Sequence, residues 1–224
     1  MPATPGSPDA DDVSSADTKH RLEDAVLATL RADGLAGLSA RTVARRANVN
    51  QALIFYHYDS VAKLVEAAAL ASVGAAVDRH RAALAAANTF AELFAVGQRI
   101  NAEERDVGNV AVMAQLVAGA HLDPTISACA RACLDQWIGA LDPTIDRLLQ
   151  TSPLGGLIEH GGLARAISSA FIGLELYETV DPDGAAAAVT SLEHLGTILE
   201  AIDTLGPVAH RAVRAHVRRR LRRR

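Results

Sequence analysis

"LSARTVARRANVNQALIFYHYDS" spans Leu38–Ser60 and holds two short helical patterns separated by only a few residues. The second ends in four consecutive rings, Phe55, Tyr56, His57 and Tyr58, which use three of the eight Phe, Tyr and Trp residues in the 224-residue chain. In the first pattern Ser39 is placed to cap an orphan amide. Leu38, Val43 and Ala47 form its buried side, Arg41, Arg45 and Arg46 its exposed side, and Ala44 is small enough for a close helix crossing. Asn48 falls at a sharp turn, where Asn tolerates the left-handed conformation better than most residues other than Gly. On a wheel of about 100° per residue, Ile54 and Tyr58 fall together toward a core. Ala52, Phe55 and Tyr56 lie opposite, with Gln51 at the exposed first turn. A small residue, an amide and aromatic rings on the outer face of a short helix suit entry into a DNA major groove. The competing reading is a compact aromatic mini-core.

Working outward, the composition favours helix. Half of the residues are hydrophobic, carried mainly by Ala, Leu and Val, with 4 % aromatic residues. No alternating apolar strand pattern occurs, and no run of about 18 uncharged apolar residues, so no membrane partner is expected. The first residues lack the basic and apolar regions of a secretory signal, and Cys129 and Cys133, the only cysteines, argue against a disulfide framework. A cytoplasmic location follows as the expectation. The net charge of −4 conceals an asymmetry: residues 211–224 hold eight Arg and no acid. Removing those eight from the 22 Lys and Arg leaves 14 against 26 acidic residues, a balance of −12, over 1–210. Nucleic-acid contact by such a body has to be local.

The expected organisation has four parts. Residues 1–17, rich in Pro, Gly, Ser, Ala and Asp, read as a disordered acidic tail. Residues 18–66 read as a three-helix helix-turn-helix DNA-binding domain, opened by Leu22, Val26 and Leu30 at a spacing of four and stopped at Gly34. Residues 67–206 form a larger helical domain for effector binding and dimerisation, punctuated at Asn88-Thr89, Asp123-Pro124, Asp142-Pro143, Ser152-Pro153, Gly161-Gly162 and Asp181-Pro182. Residues 207–224 form an Arg-rich tail, either a helix that grips phosphates or a solvated end. The fold class is all-α. Two final helices near 162–180 and 183–205 carry Ala and Leu on more than one side, as surfaces that meet a partner helix do.

The stretches "RLEDAVLATLRADGLAGLSARTVARRANVN" and "QALIFYHYDSVAKL" resemble the TetR/AcrR family of one-component regulators over about residues 18–66, and more loosely, as helical architecture, to about 205. The resemblance implies a transcriptional regulator, usually a repressor, released from a near-palindromic double-stranded DNA operator by a small-molecule effector. It implies DNA contacts at Ser39, Arg41, Thr42, Asn50, Gln51, Ala52, Leu53, Tyr56, His57 and Lys63. It also implies a homodimer through the last two long helices. Three positions depart from the family pattern: Asn48 replaces Gly, Phe55 stands where Tyr is frequent, and Val61 occupies a Lys position.

The large side chains available to line an effector cavity are Phe94, Met113, Leu116, Trp137, Phe171 and Tyr177, with Gln115, His121, Gln136 and Glu175 as polar candidates. They suit a mostly apolar effector. No Gly-rich phosphate loop, metal signature or nucleophile motif stands out, so neither enzymatic activity nor a cofactor or metal is expected. Glu103, Glu104 and Asp106 beside Arg105 read as a solvated helix end. The alternative function is a small all-helical enzyme or ligand carrier without specific DNA binding.

Overall fold

The computed structural model describes residues 10–152 and 154–221, which form ten α-helices and no strand. No single described helix is long and apolar enough to cross a membrane. The chain divides into two compact units: residues up to Ser72 with Gln115–Ala130, and Val73–Ala114 with Arg131 onward.

The first unit opens with α1 (Ala10–Asp33), followed by one 3-10 turn at Leu35–Gly37, then α2 (Ala40–Ala47), α3 (Ala52–Tyr58) and the first half of α4 (Val61–Ala86). Leu22, Val26 and Leu30 are fully buried along α1, and Val43, Ile54 and Leu64 give one fully buried residue to each of α2, α3 and α4. The helix start expected at Thr18 is corrected: residues 10–17 of the supposed tail belong to α1, and 1–9 lie outside the described residues. Asp17 pairs with Arg21 one turn later at 3.9 Å.

Gly34 ends α1 with φ 70°. The Gln115 side chain closes this end by accepting from Leu35 N–H at 2.8 Å and donating to the Leu30 carbonyl at 3.0 Å. A Cβ at Gly34 would be strained at this φ and would stand 2.7 Å from the Gln115 amide oxygen, displacing the clasp. Gln115 lies on α6 (Asn109–Gly119), which is followed by α7 (Pro124–Thr151).

The second unit contains the rest of α4, then α5 (Phe90–Asp106), the start of α6, most of α7, α8 (His160–Glu178), α9 (Pro182–Asp203) and α10 (Pro207–Leu221). Its core joins Leu84, Leu93, Ile100, Leu141, Ile145 and Leu148. Thr89 caps α5 through the Glu92 amide, and Asp181 caps α9 through the Gly184 amide. Asp142-Pro143 is no turn; α7 runs straight through it. Leu141, Thr144, Ile145 and Leu148 bury a continuous stripe past Pro143, and Thr144 donates to the Leu84 carbonyl at 3.1 Å. That packing outweighs the one backbone bond that proline removes. Gly161-Gly162 is likewise inside a helix, in the first turn of α8 under the Glu159 carboxylate cap. The Arg-rich end is helical over 207–221, tied back by Arg214 on the Gly155 carbonyl at 2.7 Å and by His210 on that of Ile202 at 3.0 Å.

Replacing Gln115 by Ala strands the Leu35 amide and the Leu30 carbonyl. Urea unfolding should show a loss of about 1–3 kcal/mol. Gln98→Ala, which removes a surface bond to Glu193 at 2.9 Å, should stay within about 0.5 kcal/mol.

Candidate nucleic-acid interface and ligand cavity

Ser39 caps α2 by accepting from the Thr42 amide at 3.1 Å, and the two hydroxyls bond each other at 2.9 Å. Asn48 adopts the left-handed conformation, φ 53° and ψ 50°, directly after α2. Arg21 of α1 donates to the carbonyls of Ala47 and Asn48 at 2.6 and 2.8 Å, placing a cation on the negative end of α2. Sequence reasoning missed Arg21, since its partners lie 26 and 27 positions away. Asn50, expected to contact DNA, uses its side-chain oxygen to cap α3 on the Ala52 amide at 2.9 Å.

Ile54 is completely buried in α3, and Tyr58 donates to Glu23 Oε1 at 2.8 Å. Burial and that carboxylate push the Tyr58 phenol well above its ordinary pKa. Gln51, Ala52 and Phe55 are exposed, and Tyr56 is the most open ring of the cluster at 79 %. His57 is half-buried edge-to-face against Tyr56, with ring centres 4.9 Å apart, and Leu53 is half-buried. The mini-core reading therefore holds for Tyr58 but not for Phe55 or Tyr56. Arg41 and Arg45 project from α2, while Arg46 is engaged by Asp33 at 2.9 Å. Lys63 sits at an exposed position in the first turn of α4, in an ion pair with Glu66 at 2.7 Å. Phosphate binding there has to compete with that carboxylate.

The second unit encloses a cavity of about 430 Å³ with overwhelmingly apolar walls. Phe94, Met113, Trp137 and Phe171 line it, with Phe94 stacked on Phe171 at 6.1 Å. Gly97 permits this arrangement, because a Cβ there would stand 2.7 Å from the Phe171 ring. Three expected lining residues lie elsewhere. Leu116 is fully buried and belongs to the first unit. Glu175 is held by Arg105 at 2.6 Å, and Tyr177 is exposed and bonded to Asp181 at 3.1 Å. Of the polar candidates, Gln115 serves α1 and His121 is exposed.

The polar groups that do reach the cavity are Asn101, Glu104, Asn109 and Ser168. Glu104 is not a solvated helix end; it is only 4 % exposed. Its Oε1 accepts from Arg79 at 2.6 Å and meets His80 Nε2 at 2.9 Å, and its Oε2 accepts from Asn109 at 2.6 Å. Burial raises the carboxyl pKa, but the bonds from Asn109, His80 and Arg79 outweigh that and hold it below its ordinary value. His80 also stacks on Trp137 at 6.3 Å. Among the described residues no group of His, Cys, Asp and Glu could hold a metal ion, and both cysteines are buried on α7.

A depressed carboxyl contributes stability above its unfolded pKa of about 4.3 and loses it as pH falls through the lower folded value. Denaturant titrations from pH 7 down to about 3 should show a steep acid loss for the unaltered chain. Glu104→Gln should flatten that limb while lowering stability at pH 7.

Residues 24–68 match the family described as bacterial regulatory proteins, tetR family. The curated proteins give no match. Among solved structures, the chain is similar to a TetR-family transcriptional regulator from Rhodococcus sp., at 18 % identity and TM-score 0.66 over 82 % of this chain and 98 % of that one. It is similar to a TetR transcription regulator from Haloarcula marismortui ATCC 43049, at 13 % and 0.65 over 82 % and 98 %. A transcriptional regulator from Pseudomonas aeruginosa PAO1 gives 21 % and 0.63 over 87 % and 92 %. These identities speak for the fold. Residues 24–68 thus carry the tetR-family N-terminal domain, and the chain shares the all-helical fold of those solved proteins over about four-fifths of its length.

Proposed function

We propose that the protein is a cytoplasmic homodimeric repressor that holds a near-palindromic operator and lets go when a small, mostly apolar effector fills the cavity. The observation that carries this reading is the outward face of α3. Gln51, Ala52 and Tyr56 are exposed although aromatic residues make up only 4 % of the chain. An amide reads adenine, a methyl and a ring meet thymine methyls or sugars, and Arg41 with the Ser39–Thr42 end of α2 supplies phosphate contacts. Asn50 contributes through the cap it gives α3, while Leu53 and His57 support the reading face from partly buried positions.

Dimerisation is supported by exposed apolar side chains on α8, on α9 and in the turn between them. Leu176, Tyr177, Val180, Leu195 and Ile198 are exposed, and Gly173 has open space over its Cα. Exposed apolar side chains of this kind suit a two-fold partner, and a palindromic site asks for two recognition helices about one duplex turn apart.

Gln51→Ala and Tyr56→Ala should each lower operator affinity by about 1–3 kcal/mol in mobility-shift titrations and leave bulk-DNA binding nearly unchanged. Arg41→Ala should weaken both and reduce the salt slope by about one. Absence of any preference over bulk DNA at moderate salt rejects the reading. Ile198→Asp should convert the dimer to monomers in sedimentation and abolish operator binding.

A further inference from the structure

Among the described residues, the cavity walls carry one ionisable side chain, Glu104, and no Lys, Arg or His. Both oxygens of that carboxylate are already taken, by Arg79 and His80 on one side and Asn109 on the other. A carboxylate or phosphate drawn into this space would leave water, meet no cation and face a fixed negative charge. A cation would gain little, because both Glu104 oxygens are already bonded by groups of the protein. A different polar group does remain available. The Ser168 hydroxyl is buried and lacks a hydrogen-bond partner, and Ser168 lines the cavity. In an otherwise apolar wall an unbonded hydroxyl is unfavourable and gains from any acceptor or donor brought to it. At about 30 Å³ for each water-sized volume, 430 Å³ holds roughly fourteen of them.

We propose that the cavity selects an uncharged, largely hydrocarbon molecule of about fourteen non-hydrogen atoms bearing a single hydroxyl or carbonyl that bonds Ser168, and that Glu104 excludes acids of the same shape. This rests on the reading of the cavity as the effector site. It separates neutral alcohols, ketones and esters from fatty acids and acyl phosphates, which equal hydrophobic burial alone does not do.

Trp137 is the only tryptophan of the chain and lines the cavity, so it reports occupancy. With the full chain at pH 8, N-phenyl-1-naphthylamine serves as a neutral reporter excited by energy transfer from Trp137. It is displaced in turn by decan-1-ol, decanoate, decylammonium and pentylbenzene. Decan-1-ol should displace it at least tenfold more effectively than either ion. Glu104→Gln should narrow the gap between alcohol and carboxylate at least threefold, a ratio that holds even if the variant is less stable. Ser168→Ala, which removes one oxygen, should weaken decan-1-ol about three- to tenfold and leave pentylbenzene unchanged. Decanoate or decylammonium binding as well as decan-1-ol overturns the charge selection while the cavity remains an apolar effector site. An unchanged alcohol affinity in Ser168→Ala overturns the role of that hydroxyl. A reporter that never enters overturns both this selection and the effector reading beneath it.

Discussion

α2 and α3 have eight and seven residues, too few to persist as isolated helices in water. They exist because α1 holds them. Arg21 supplies two donors to the end of α2, and Glu23, two positions on, takes the Tyr58 hydroxyl at the end of α3. Between those anchors, Val43 and Ile54 are fully buried and Asn48 turns the chain in the left-handed region. The structural duties therefore fall on Ser39, Val43, Asn48, Asn50, Ile54 and Tyr58. That division leaves the Gln51, Ala52 and Tyr56 side chains exposed beside it, and makes their identity a question of what they meet outside.

Much of this was legible because it is local. Caps act over two or three residues, so Ser39, Thr89 and Asp181 could be placed from spacing alone. The 100° wheel likewise sorted Ile54 and Tyr58 inward and Phe55 and Tyr56 outward. What failed depends on distant partners. Glu104 reads as surface beside Glu103, Arg105 and Asp106, and only its contacts with Arg79 and His80, some 24 positions earlier, make it a buried anion. Asp142-Pro143 carries a turn signal, but a buried stripe on both sides keeps α7 intact. Leu116 and Met113 look alike in sequence as large apolar residues of one helix, yet they belong to different units.

The cavity has a related logic. Its space comes from a glycine that lets one ring cross α5, and its charge comes from an acid already saturated by its own neighbours. A saturated carboxylate does not act as a ligand group; it acts as a boundary condition on the field inside. On the proposal above, hydrophobic burial sets how tightly an occupant is held, and Glu104 with Ser168 sets which apolar molecules qualify.

α4 and α6 each contribute residues to both units, and α6 is the shorter. Eleven residues at 1.5 Å each make it about 16 Å long. Its first residue, Asn109, bonds Glu104 at 2.6 Å, and Met113 lines the cavity two positions before Gln115 clasps the end of α1. On the effector reading proposed above, an occupant acts on α6 only by as much as its affinity differs between one position of Met113 and another. A ligand that filled the space without pressing on Met113 would bind and release nothing.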